Sequence, residues 1–261
     1  MTLRGRKRPE KPSGMKLKEL IRELLPRRIA LHRIQGGPIR GAGIWTSWHD
    51  YPGAILGTTE RPLMAWFARN VKPGETWLDI GAHYGYTTIA LARLVGASGR
   101  VFAFEPVRET AACIERTRGW NRLDQMTVIP LGLSAEAEVC TKSLPMSRGM
   151  ADSTVTRVTQ QKIIKTVSLD SFWSRLNGAN PAVHGVKIDV QGMEGEVLAG
   201  MQNLLPRARP KLIVEFHRGV DRRIILDLIE SFGYLRIPEP IGGGFLTEIA
   251  DDCSYAFSLK S

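Results

Sequence analysis

Cysteine is scarce in this chain of 261 residues: Cys113, Cys140 and Cys253 stand far apart and form no ligand-type spacing. Neither a disulfide framework nor a structural zinc site is indicated, and a reducing compartment fits best. Long apolar runs are also lacking. No early stretch has the apolar core of a signal peptide, and no segment is long and apolar enough to span a bilayer, so a cytoplasmic protein is expected. Internal repeats are absent as well, which excludes a solenoid or array.

Acidic residues are in deficit, 26 against 36 lysines and arginines, for a formal net charge of +10. Part of the excess is early: Arg4, Arg6, Lys7, Arg8 and Lys11 lie in a segment with almost nothing apolar to bury. Residues 1–14 therefore read as a basic disordered tail. Such a tail attracts anions, so peripheral contact with an anionic membrane face or RNA is one use for it. A solvated arm is the plainer one. With 43% hydrophobic and 24% charged residues the remainder has ordinary globular composition, enough for one α/β domain and too short for two independent enzymatic domains.

Leu17, Leu20, Ile21 and Leu24 recur at helical spacing before Pro26, which predicts a short amphipathic helix over Met15 to Leu25. Glycines and prolines mixed with Trp45, Trp48, His49 and Tyr51 between Gly36 and Gly57 suit an ordered cover segment better than a regular element. A helix over Thr59 to Asn70 follows. Residues 15–70 thus form an N-terminal helical and cover segment, and residues 71–261 the main domain.

From Thr76 onward, short β-rich runs alternate with helical stretches: Thr76 to Ile80, Val101 to Phe104, Met126 to Leu131, Gly185 to Val190 and Lys211 to Phe216. That alternation predicts an α/β fold, a mostly parallel sheet with helices on both faces. Tyr234 to Ile237 and Ser254 to Leu259 would pair as a C-terminal antiparallel hairpin.

The first of these strands ends in Asp79-Ile80-Gly81-Ala82-His83-Tyr84-Gly85 and runs into a helix starting near Tyr86. Gly81 and Gly85 permit a sharp turn and close ligand approach. About 20 residues beyond Gly85 the second strand ends in Phe104-Glu105-Pro106, which places Glu105 where a carboxylate accepts both hydroxyls of a ribose. Glycine turn and acid together define a nucleoside site. His83 occupies the second-glycine position of a dinucleotide loop and would obstruct a pyrophosphate. Asp79 would repel that pyrophosphate but suits the ammonium and sulfonium of S-adenosylmethionine, so the methyl donor is preferred.

The run Trp77 to Tyr86, followed by Phe104-Glu105-Pro106, resembles the first two motifs of class I, Rossmann-like methyltransferases. Lys187-Ile188-Asp189-Val190-Gln191-Gly192-Met193-Glu194, Val197-Leu198-Ala199-Gly200, Val214-Glu215-Phe216-His217 and Val167-Ser168-Leu169-Asp170 are similar to segments of the FkbM-type family. The likeness runs from about Val71 to about Ile237. It implies S-adenosylmethionine as cofactor and O-methylation of a hydroxyl on a small molecule, sugar or glycolipid. Two positions depart from the family pattern: Gln191 replaces a usual second acid, and His83 a frequent asparagine. If that acid carries catalysis in relatives, mechanism or activity has changed here.

In a parallel sheet all C-terminal strand ends open on one edge, so Asp189, Gln191, Glu215 and His217 should surround a ligand held by Asp79, Gly81, Ala82, His83, Gly85, Tyr86, Glu105, Pro106 and Asp189. His217 and Asp189 are candidates for the general base, with His217 ahead because imidazole titrates near neutrality. Lys187, two residues before Asp189 and on its strand face, would orient it or the acceptor, and Glu215 completes the candidate catalytic set. No metal ligand is assigned; a divalent ion on Asp189, Glu215 and His217 is an alternative that chelation would test. The acceptor pocket should come from the cover segment and the insertion between Cys140 and Thr166. A nucleic-acid methyltransferase is disfavoured because Ile188-Asp189-Val190-Gln191-Gly192 lacks prolines and an aromatic for gripping a flipped base. A cofactor-binding protein without turnover stays open through Gln191, and oligomeric state is not encoded legibly.

Overall fold

The computed structural model describes residues 21–154, 160–177, 182–242 and 249–260. The basic tail and most of the first amphipathic helix lie outside them. The cover segment contains a regular element that its composition did not betray, an antiparallel hairpin of β1 (Ala30–Arg33) and β2 (Gly43–Thr46). Two helices follow, α1 (Pro52–Leu56) and α2 (Arg61–Asn70), so the helix predicted from Thr59 begins at Arg61. Pro62 sits in its first turn, where the missing N–H costs nothing.

The main domain alternates β3 (Thr76–Ile80), α3 (Tyr86–Val95), β4 (Arg100–Phe104), α4 (Arg108–Asn121) and β5 (Met126–Ile129). The segment after β5 is a second departure from expectation. It folds as a separate sheet of β6 (Gly132–Leu133), β7 (Cys140–Ser147), β8 (Met150–Ala151) and β9 (Gln161–Val167), ordered β6-β9-β7-β8. Alternation returns with α5 (Leu169–Asn177), β10 (Gly185–Ile188), α6 (Glu194–Ala199), α7 (Leu204–Ala208), β11 (Lys211–Phe216) and α8 (Arg222–Ser231). The chain ends in β12 (Glu239–Pro240) and β13 (Cys253–Phe257).

Seven strands form the central sheet in the order β12-β13-β11-β10-β3-β4-β5. Its strands run parallel except β13, which is antiparallel to both β11 and β12. The C-terminal hairpin is therefore present, with β12 starting after the expected Tyr234 to Ile237 run. Tyr234 itself makes an isolated bridge to Leu259.

Side chains alternate across the strands, and each face builds its own core. Trp77, Val101, Ala103 and Ile213 pack with Ile44, Leu63, Phe67, Ile89 and Leu91 on one side, so the N-terminal segment and the sheet share a core. On the other side Leu78, Ile80, Phe102, Val186, Ile188 and Val214 meet Val197, Leu198, Leu205 and Ile225. Each fully buried aliphatic side chain contributes roughly 1.5–3 kcal/mol. The apolar run from Val197 to Leu205 divides into α6 and α7 at Gly200. A Cβ there would come within 2.0 Å of the Ser134 carbonyl oxygen, so the chain passes too close to β6 for any other residue.

Candidate functional site

The connection leaving β3 runs towards β4 and the one leaving β10 runs the opposite way towards β11, so the C-terminal ends of β3 and β10 flank a crevice. A cavity of about 360 Å³ opens there. Gly81, Ala82, His83, Glu105 and Pro106 line one end, and Lys187, Asp189, Gln191, Glu215 and His217 the other. Asp79, Gly85 and Tyr86, expected in the cofactor site, are not among the residues that line this cavity.

The glycine loop is tight for reasons the fold makes visible. Gly81 has φ 78°, and a Cβ on it would lie 1.8 Å from the Asp189 carbonyl oxygen, so β3 and β10 converge only over a glycine. Gly85, at φ 84°, caps the N-terminus of α3. His83 also adopts the left-handed region, at φ 50°. Its backbone N–H donates to Glu105 Oε2 at 2.9 Å, and Val107 N–H donates to Glu105 Oε1 at 2.9 Å. Burial pushes the Glu105 carboxyl up to about 8, against those two bonds. The His83 ring, within 2.8 Å of the Arg148 carbonyl oxygen through Nε2, is pushed down to about 4 by burial.

Asp79 is fully buried. Its Oδ2 accepts from Thr87 Oγ1 at 2.8 Å and Thr88 Oγ1 at 2.6 Å, on the first turn of α3. Its Oδ1 lies 3.4 Å from Lys187 Nζ, because Asp79 and Lys187 are register partners across the β3–β10 pairing. Asp79 Oδ1 carries no hydrogen bond. Tyr86 is likewise buried with an unpartnered hydroxyl, and its ring meets Tyr51 edge-on at 6.3 Å between centroids.

At the other end Lys187 donates to Asp189 Oδ2 at 3.1 Å, the orienting contact expected from their spacing. Burial works against the Lys187 charge, yet Asp189 and Asp79 hold its pKa above the usual lysine value. Asp189 shifts the opposite way: burial opposes its ionised form, but Lys187 and His217 bring its pKa down. His217, 2% exposed, directs Nδ1–H to Glu194 Oε1 at 2.6 Å and turns Nε2 towards Asp189 Oδ1 at 3.4 Å and Glu215 Oε1 at 3.6 Å. Burial disfavours its charge, but Glu194 and Asp189 push it up to about 9. At neutral pH the imidazole is mostly charged, which weakens the near-neutrality argument for placing it ahead of Asp189 as base. Glu215 is pushed up to about 8 by burial and by Asp189 and Glu60. Gln191 has φ 50°, and its Nε2 lies 2.7 Å from His217 Nε2. That N–H donates to a neutral imidazole, whereas a charged one needs the amide turned with its oxygen inward.

The cover segment and the insertion supply lining as expected, though the sequence singled out none of their residues except Tyr51. Asp50, Tyr51, Thr59 and Glu60 bring the cover segment onto the cavity, Leu144, Arg148, Met150 and Ile164 bring the insertion, and Asp252 comes from the C-terminal turn. Asp50 is placed by Tyr84, whose hydroxyl donates to Asp50 Oδ2 at 2.7 Å, and Tyr51 stacks obliquely on His83 at 4.8 Å. Of the aromatic residues of the cover, Tyr51 therefore faces the cavity, whereas Trp45, Trp48 and His49 do not line it.

A family profile described as the methyltransferase FkbM domain matches residues 79–236. The hexuronic acid methyltransferase AglP of Haloferax volcanii is 32% identical over 175 residues, 66% of this chain and 68% of that protein. A ribosomal protein L11 methyltransferase of Cupriavidus necator is 40% identical over 125 residues, 41% of either chain. Among solved structures, an FkbM methyltransferase from Methylobacillus flagellatus KT has a TM-score of 0.48 at 18% identity, covering 78% of this chain and 52% of its own. An O-methyltransferase from Bacillus cereus in complex with SAH has a TM-score of 0.46 at 18% identity, with 76% and 79% covered. No helix among the described residues is long and apolar enough to cross a membrane. Since the profile spans well over half of the chain and takes in the glycine loop, Glu105 and the Asp189 to His217 end of the cavity, the protein belongs to the FkbM family of methyltransferases.

Proposed function

We propose that this methyltransferase takes its methyl group from S-adenosylmethionine and passes it to a sugar hydroxyl. The observation that carries the reading is the two-ended cavity, with a glycine loop and a buried acid at one end and a cluster of proton-accepting groups at the other. The residues fit the donor. Glu105 spends one acceptor position of each oxygen on His83 and Val107, and an ionised carboxylate has about four, which leaves two for a ribose diol. The cavity also falls within the roughly 300–1,000 Å³ usual for small ligands. Gly81, Ala82, His83 and Glu105 would hold the nucleoside, with Pro106 against it and Asp189 near its amino-acid end. When bound, the donor supplies an electrophilic methyl on a sulfonium.

The chain's own task is to hold an acceptor oxygen in line and to take its proton as the new bond forms. Asp189, Glu215 and His217 are the groups in reach of that oxygen. Lys187 fixes the Asp189 carboxylate, and Glu194 fixes the tautomer and plane of the His217 ring. Tyr51 and the walls supplied by the insertion would exclude water and define which sugar enters.

The similarity to a protein named for hexuronic acid supports a sugar acceptor. Incubation with methyl-labelled S-adenosylmethionine and a panel of neutral sugars and uronic acids, read by mass spectrometry, should give a product labelled on oxygen. Label found only in RNA or protein, with every sugar unmodified, would sink the proposal.

A further inference from the structure

We infer that Asp189, Glu215 and His217 form a site for one first-row divalent cation of the Mn²⁺ type, placed at the acceptor end of the cavity. One ligand atom from each of the three lies within 4.8 Å of the others. Around His217 Nε2 the spacings are 3.4 Å to Asp189 Oδ1 and 3.6 Å to Glu215 Oε1. Adjacent ligands on an ion bound at roughly 2.1 Å stand about 3 Å apart, so a small closure brings the three atoms onto one centre. Imidazole and carboxylate together suit Mn²⁺, Co²⁺ and related ions.

Beyond this convergence, each residue has its outward atom tied down by a group outside the trio. Lys187 donates to Asp189 Oδ2 at 3.1 Å, Ser254 Oγ donates to Glu215 Oε2 at 2.8 Å, and His217 Nδ1–H donates to Glu194 Oε1 at 2.6 Å. Every anchor acts on the atom facing away from the centre, which leaves Oδ1, Oε1 and Nε2 pointing inward. Metal sites show this pattern because outer partners fix ligand orientation and keep imidazole in the right tautomer. Ser254 is positioned by register, as the partner of Glu215 across the β11–β13 pairing, so the antiparallel strand is part of the site.

Charge points the same way. Glu60, Asp79, Asp189, Glu194 and Glu215 crowd one end of the domain against two cationic side chains, Lys187 and His217. Glu194 Oε2, fully buried, has no hydrogen-bond partner. A divalent ion would neutralise much of this excess. Gln191 then gains a reading as well: turned with its oxygen inward, its amide is a neutral fourth ligand at the position where it now touches His217. The remaining coordination positions face the cavity, where they would take a sugar hydroxyl or carboxylate. This last use rests on the proposed function; the ion site does not.

The test uses the full chain, dialysed against a strong chelator and titrated with Mn²⁺ followed by electron paramagnetic resonance, then with Co²⁺ followed by visible absorption. Expected are one Mn²⁺ per chain, a Co²⁺ spectrum of mixed nitrogen and oxygen ligation, at least tenfold weaker binding in Glu215→Gln, and weaker binding in Ser254→Ala. Circular dichroism melts establish that both variants are folded. Folded wild type without stoichiometric Mn²⁺, or Glu215→Gln binding as tightly as wild type, overturns the site. The demethylated donor is titrated into the same samples. Donor product bound without metal removes the ion site and leaves the proposed function standing; metal bound without donor product does the reverse.

Discussion

Glu105 carries two loads at once. Its carboxylate would grip the ribose, and it already accepts the N–H groups of His83 and Val107. Glu105→Ala removes the acceptor of both N–H groups, that of Val107 buried and that of His83 part-buried, at about 1–3 kcal/mol for a buried group. Glu105→Ala should lose at least tenfold in affinity for the demethylated donor and melt at lower temperature, whereas Glu105→Gln, which keeps one acceptor oxygen, should retain more of the melting temperature. Calorimetric titration beside a thermal melt separates the two effects, and wild-type donor affinity in both variants would misplace the ribose. The proton-accepting cluster has its own signature. A base works only when deprotonated, and His217 and Glu215 are pushed up to about 9 and about 8. In chelator-treated protein, turnover should climb between pH 7 and 9, and His217→Ala should lower turnover while leaving donor affinity nearly intact. Turnover that is flat across that range would move the proton to Asp189, whose pKa Lys187 and His217 hold low despite burial.

Elements place these residues through backbone approach and register. Asp79 and Lys187 meet because β3 and β10 pair in parallel, and Glu215 meets Ser254 because β13 turns back along β11. Gly81→Ala tests the first of these contacts. Its φ of 78° and a Cβ 1.8 Å from the Asp189 carbonyl oxygen would force the ends of β3 and β10 apart, on the order of 1–3 kcal/mol for the dihedral alone. Lower melting temperature together with loss of donor binding is expected, and unchanged binding would show that the convergence is not needed. The β1–β2 hairpin is held differently, by Asn121 on α4, which exchanges hydrogen bonds with both the N–H and the carbonyl of Gly43. Asn121→Ala should speed amide exchange in residues 30–46 with little change in β3 and β4, as hydrogen-exchange mass spectrometry would read. Uniform exchange along the chain would contradict a hairpin attached locally.

Across the whole molecule the ionisable groups give stability a direction in pH. His217, Glu105 and Glu215 all have pKa values raised above their unfolded ones, to about 9, about 8 and about 8. A raised value contributes stability that is complete below the unfolded pKa and is lost as pH climbs through the folded one. Between pH 7.5 and 9 the downward-shifted groups, including His32, His83 and Asp189, have largely finished titrating in both states. The ligand-free protein should therefore melt at steadily lower temperature from pH 7.5 to 9, measured by calorimetry at constant ionic strength. A melting temperature that rises over this interval would contradict the buried placement of these acids.

What sequence alone determined is the part that depends on local period and chain order. Apolar runs of strand length alternating with helical faces set the parallel sheet, and strand ends carrying Gly81, Glu105, Asp189 and His217 had to share one edge because parallel strands all finish on the same side. Tertiary structure decided what no period encodes. The cover became a hairpin by pairing β1 with β2, the insertion became strands through pairings such as Cys140 with Thr166, and together they brought Tyr51, Glu60 and Arg148 onto the cavity. It also decided the ionisation of the site, because a pKa follows burial and neighbouring charge, and those exist only once β3, β10 and β11 lie side by side.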